Sequence, residues 1–79
     1  MSRDFYADTR DLAAKLTARG RGDWSQRLTD AMAAGATGTE IVMALRWTLA
    51  QMLETEPALA DDLRQQATDL HAGLDKLLR

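Results

Sequence analysis

The chain has 79 residues, no cysteine and a formal net charge of −2. It is therefore long enough for one domain at most, it cannot form disulfides or thiolate metal sites, and its charge disfavours a nucleic-acid partner. No apolar run approaches the roughly 20 residues of a membrane-spanning helix, and the first residues lack the apolar core of a signal peptide. We expect a single cytoplasmic domain over residues 1–79.

Two amphipathic helices are predicted in the first half of the chain. The first runs from about residue 3 to residue 19, with Ser2 as its N-cap and Gly20 as the left-handed residue that ends it. The second begins at Asp23, which forms a capping box with Gln26. The side chains that we expect to face the core of the protein are Phe5, Leu12, Ala13, Leu16, Trp24, Leu28, Ala31 and Met32.

The third helix has the clearest start signal, because Thr37 can cap it and Glu40 can complete a capping box. From position 41 to position 53 only three residues are polar, so this helix is apolar nearly all round. Such a helix is expected at the centre of a fold, covered on most sides. The residues predicted to be buried are Ile41, Leu45, Leu49 and Met52.

The fourth helix is predicted to run from about Pro57 to Leu78, since proline suits the first turn of a helix but not its interior. That span makes it the longest of the four. Its apolar residues alternate spacings of three and four, and they are Ala60, Leu63, Ala67, Leu70, Leu74 and Leu77. Because short connections favour antiparallel neighbours, the sequence predicts an all-α fold, a compact four-helix up-down bundle with a long C-terminal helix.

Residues with enzyme chemistry are sparse. His71 is the sole histidine, and it lies at the edge of an apolar helical stripe, which is typical of a solvated histidine. Asp61 and Asp62 are adjacent, so on a helix they point apart instead of converging on a substrate. No nucleophile elbow, phosphate loop or metal-ligand spacing is found. We therefore expect no enzyme activity, no metal and no cofactor.

The segment from Gly35 to Leu45 matches the pattern G-x-T-x-x-E-I-x-x-x-L, with which helix-turn-helix DNA-binding motifs begin. Such motifs turn soon after the leucine and continue into a basic recognition helix. Here the helical pattern continues, and an acidic segment that phosphates would repel follows it. DNA binding is therefore ranked third, behind the two functional hypotheses that are described below.

The stretch from Trp24 to Leu53 resembles a group of small, uncharacterised bacterial helical proteins. The resemblance is carried mainly by G-x-T-x-T-E-I-x-M-x-L-R-W, between Gly35 and Trp47. It implies a bacterial source and a small accessory protein, but no particular site or activity. By analogy, small acidic helical chains of bacteria are often immunity proteins or antitoxins that block a toxin.

Two groups of residues are candidates for binding a partner. Arg46 and Trp47 are of the types most enriched at binding hot spots. The alternative, which we favour from the sequence, places Trp47 in the core against another aromatic side chain and pairs Arg46 with an acid such as Asp30 or Glu54. The second group is an acidic cluster that would suit a basic partner or would simply lie in solvent near a helix start, and the solvent interpretation is favoured. Its members are Glu54, Glu56, Asp61 and Asp62.

These observations leave two main functional hypotheses. The first is a protein-binding module, most concretely an immunity protein or antitoxin that neutralises a cognate toxin by binding its basic domain. The second is a homo-oligomeric structural or regulatory helix bundle. A homodimer is its simplest form, since a second copy adds the buried area that a chain this short lacks.

Overall fold

The computed structural model describes residues 4–34 and 37–78. Over those residues the chain forms no strand and four helices, which are α1 Phe5–Ala18, α2 Gly22–Ala34, α3 Gly38–Thr55 and α4 Asp61–Leu77. Each helix packs against the next one in the chain, and α1 also packs against α4. The molecule measures 31 × 23 × 21 Å. The prediction of an all-α helical bundle is confirmed.

Local signals fix both ends of α1. Asp4 is the N-cap, and its side chain accepts a hydrogen bond of 3.0 Å from the Ala7 N–H, whereas the predicted cap, Ser2, lies outside the described residues. At the other end Gly20 has a φ of 78°, a left-handed conformation that glycine adopts without strain. The turn lets the Arg21 N–H donate to the Leu16 carbonyl over 2.8 Å. The prediction that Gly20 ends the helix is confirmed.

The predicted cap of the second helix at Asp23 is wrong, because α2 already begins at Gly22. The Arg21 carbonyl accepts a hydrogen bond from the Ser25 N–H, so the first helical bond forms earlier in the chain. Asp23 lies in the first turn, where its negative charge interacts favourably with the positive end of the helix dipole. Gln26 donates to Asp30 instead of closing a capping box.

The predicted start of the fourth helix at Pro57 is also wrong. The chain forms a turn over residues 56–60, in which the Leu59 N–H donates to the Glu56 carbonyl over 3.1 Å. This turn buries Leu59 in the core, a residue that is not among those predicted to be buried. As a result α4 has 17 residues, and α3, with 18 residues, is the longest helix in the described part of the chain.

The hydrophobic core draws on all four helices and on the turn between α3 and α4. Three of the four core residues predicted for α3 are buried, while Ile41 is half-buried. From position 41 to position 53 only Met43 and Trp47 are exposed, so the prediction that α3 is covered on most sides is confirmed, except on the side where these two residues lie. The buried core residues are Leu12, Leu16, Trp24, Leu28, Ala31, Leu45, Leu49, Met52, Leu59, Leu63, Ala67, Leu70 and Leu74.

A polar network on the surface joins α1 to α4. Lys15 donates to the Gln66 amide oxygen over 3.1 Å, and the Gln66 amide nitrogen donates to Asp11 over 2.9 Å. The Gln66 amide and then Lys15 lower the pKa of Asp11 from its ordinary value. The network therefore favours the folded chain at neutral pH and is lost as acid protonates Asp11. Its contribution is small, because these side chains are exposed to solvent.

The cap of α3 provides the first testable prediction. Thr37 accepts a hydrogen bond of 3.2 Å from the Glu40 N–H, as the sequence predicts. Thr37→Ala removes this bond and should lower the free energy of unfolding by about 1 kcal/mol in urea denaturation. The matched control is Thr39→Ala, which changes an exposed threonine in the first turn and should shift stability by less than about 0.5 kcal/mol. Equal losses in the two variants would contradict a capping role.

Candidate protein-binding surface

Trp47 lies on the outside of the bundle. Its side chain is 66% exposed, and Met43, one turn earlier on the same helix, is 53% exposed. The prediction that Trp47 packs in the core is therefore wrong. We call this pair of side chains, Met43 and Trp47, the α3 outer face. Neighbouring large apolar side chains that stay exposed are candidates for an interaction site.

The Arg46 side chain points in a different direction from that of Trp47, because successive residues on a helix point about 100° apart. Its guanidinium forms an ion pair with Asp75 on α4, with 2.8 Å between Nη1 and Oδ1. The prediction that Arg46 pairs with an acid is right, but the partner is neither Asp30 nor Glu54. Arg46 joins α3 to α4 and lies apart from the α3 outer face.

The four acidic residues of the predicted cluster have different roles in the structure. The Glu56 carboxylate accepts a hydrogen bond of 2.7 Å from the indole N–H of Trp24, which is only 5% exposed. Asp62 pairs with Arg19 at the end of α1 over 2.8 Å. Two of the four carboxylates are thus already engaged within the bundle.

The other two acids, Glu54 and Asp61, are exposed. They lie on either side of the turn between α3 and α4. A base that the sequence pattern does not place there also reaches this turn, since Arg64 donates to the backbone carbonyls of Leu53 and Glu56. The Arg64 guanidinium donates to carbonyls at the end of α3 that have no partner within the helix. Its positive charge also interacts favourably with the negative end of the helix dipole. The region around this turn therefore carries less net negative charge than the four acids between Glu54 and Asp62 alone would give it.

A groove of about 390 Å³ runs between α2 and α3, beside the α3 outer face. Trp24 and Trp47 both line it, and three alanines of its lining leave room because their side chains are short. Arg27 and Asp30 contribute charges of opposite sign, and the Arg27 guanidinium stacks 4.5 Å from the centroid of the Trp24 ring. We call this recess the α2–α3 groove. Its alanines are Ala31, Ala34 and Ala44.

A larger recess of about 690 Å³ lies where the starts of α1 and α3 meet the end of α4. Its lining is mainly apolar and includes Phe5, Ile41, Leu45 and Leu74. The chain segments around it lead into residues outside the described ranges. Within residues 4–34 and 37–78 no group of three His, Asp or Glu side chains is placed to hold a metal ion. No helix in these ranges has the length and apolar character needed to cross a membrane.

The hydrogen bond between Trp24 and Glu56 provides the second prediction. Glu56→Ala leaves the buried indole N–H without its acceptor and should lower the free energy of unfolding by about 1–3 kcal/mol. Glu56→Gln keeps an acceptor oxygen and should lose less. The control is Glu54→Ala, which removes an exposed acid in the last turn of α3 and should change stability by less than about 0.5 kcal/mol. Thermal or urea denaturation of the three variants tests this, and a loss in Glu54→Ala as large as in Glu56→Ala would contradict it.

Comparison with protein families, with curated proteins and with solved structures finds no match for this chain. Candidate surfaces for a partner include the α3 outer face, the α2–α3 groove beside it and the two exposed carboxylates of Glu54 and Asp61. The first two adjoin each other, because Trp47 belongs to both.

Proposed function

We propose that the protein acts by binding another protein through the α3 outer face. The observation that carries this proposal is the exposure of Trp47 on a regular helix that has ample apolar residues for the core. Tryptophan is among the residues that contribute most to binding energy at interfaces. Met43 beside it has a flexible, polarisable side chain that adapts to different partner surfaces.

The concrete form that we propose is a small bacterial immunity protein or antitoxin, acting in the cytoplasm, that neutralises a toxin by direct binding. The resemblance to small bacterial helical proteins and the analogy with small acidic inhibitors support this form. The net charge of −2 and the exposed carboxylates of Glu54 and Asp61 suit a basic toxin domain, since complementary charges speed association and help to set specificity.

We also propose that the helices follow an up-down course. The connections over residues 19–21 and 56–60 are short, which favours antiparallel neighbours. The packing of each helix against the next, with α1 returning to α4, supports the same course. In this arrangement the α3 outer face lies along the side of the bundle, where a partner surface can approach it.

The third prediction tests the α3 outer face as the binding surface. Trp47→Ala should leave the melting temperature nearly unchanged, because the side chain is largely exposed. It should weaken binding of the cognate protein by about 2 kcal/mol or more, which is roughly 30-fold in Kd. The matched control is Tyr6→Ala, which removes another exposed aromatic side chain from α1 and should bind as the wild type does.

The measurement begins with affinity capture from the native cell by the wild type, Trp47→Ala and Tyr6→Ala. The cognate protein is one that the wild type and Tyr6→Ala retain and Trp47→Ala loses, and calorimetry with the purified pair then gives the Kd. Expression of that protein alone should arrest growth, and the wild-type chain should relieve the arrest. A captured protein that is harmless when expressed alone would contradict the toxin-neutralising form, and equal capture by all three chains would contradict the surface.

The fourth prediction concerns the two exposed carboxylates. Removing both charges with Glu54→Gln and Asp61→Asn should slow association with a basic partner at low salt. The difference should disappear near 1 M salt, where the screening length falls to about 3 Å. Glu40→Gln is the control, because it removes one charge from the opposite end of α3. Stopped-flow association at several salt concentrations tests this, and equal rates for all variants would show that the carboxylates do not steer the partner.

A further inference from the structure

We propose that a second copy of this chain occupies the α2–α3 groove, so that the protein alone forms a two-fold symmetric dimer. Trp47 of each copy would insert beside the short alanine side chains in the groove of the other. The inference shares the binding surface of the proposed function, but it does not depend on a toxin or on any other foreign partner.

The shape of the surface supports a second copy. The groove is bordered by a side chain that projects, Trp47, and by three alanines that leave a recess. A two-fold axis brings the same patch of both copies together, so each projection meets the recess of the other copy. The contact then closes upon itself and ends at two chains instead of continuing into a fibre.

The charges of the groove support the same occupant. Arg27 and Asp30 lie one turn apart on α2, and both line the groove. A two-fold axis between them places Arg27 of one copy opposite Asp30 of the other, and it does so twice. The groove itself carries one positive and one negative charge, so two copies do not repel each other there. A strongly basic partner would find no such complement in the groove.

The size of the chain gives the dimer a physical reason. A domain of 79 residues buries a smaller fraction of its surface than a larger domain does. The exposed α3 outer face is apolar surface that the isolated chain leaves in water. Pairing two copies removes this surface from water without any rearrangement of the core.

The fifth prediction is that the wild-type chain self-associates in solution. Sedimentation over a range of concentrations should show the mass rising from 8.7 kDa towards twice that value. Trp47→Ala should raise the dissociation constant at least tenfold, whereas Tyr6→Ala should not change it. Circular dichroism of each variant establishes that its helices remain formed. A wild-type chain that stays monomeric at the highest concentration would overturn the inference.

A charge exchange tests the two-fold pairing itself. Arg27→Asp leaves two acids on the patch and Asp30→Arg leaves two bases, so each variant alone should be monomeric because like charges meet across the axis. An equimolar mixture of the two variants should dimerise again, since each acid then meets a base. Dimerisation of both single variants at the wild-type level, or a mixture that stays monomeric, would overturn the pairing.

The results separate this inference from the proposed function. A monomeric wild type whose capture of a toxin depends on Trp47 would overturn the dimer and leave the proposed function standing. A dimer that responds to the charge exchange supports the inference, even where no toxin is captured and the proposed function fails.

Discussion

A closed ring of four helices gives each helix two neighbours, and this packing constraint decides which apolar side chains can be buried. In the described part of the chain the backbone of α3 comes close to the backbones of α2 and α4 but not to that of α1. Leu45, Leu49 and Met52 lie on the side of α3 that faces the interior of the ring, and they are buried there. A helix that is apolar nearly all round has more such residues than two neighbours can cover. Trp47 therefore remains outside, although it is among the largest apolar side chains of the chain.

The turn between α3 and α4 solves a second problem, the burial of polar groups at a helix end. Trp24 is buried from α2, and its indole N–H needs an acceptor, which Glu56 provides. The carbonyls at the end of α3 also need donors, and Arg64 provides them from α4. Side chains from α2, from α4 and from the turn itself thus meet here, and a carboxylate that looks free in the sequence has a structural role.

The sequence predicts features that depend on neighbours in the chain. The left-handed turn at Gly20 and the cap at Thr37 follow from the preferences of a few adjacent residues, and both are present. The partners of Glu56 and Arg46 are separated from them by 32 and 29 positions, so no local pattern identifies them. The direction of Trp47 could not be predicted either, because periodicity shows that a helix is apolar but not which side of it faces its neighbours.

The exposure of the α3 outer face and of the groove beside it bears on association of the chain in general, and not only on the binding of one partner. An exposed tryptophan next to an apolar recess is prone to nonspecific association, and the proposed dimer would cover it while leaving the core unchanged. Self-association and binding of a foreign protein at one surface compete by mass action. A foreign partner of the proposed kind would therefore have to bind the monomer tightly enough to offset the free energy of the proposed dimer. The exposed carboxylates of Glu54 and Asp61 lie at the turn between α3 and α4, outside the set of residues that line the groove. They would remain available to attract a basic partner while the proposed dimer is intact, so long-range attraction and final docking would belong to different parts of the molecule.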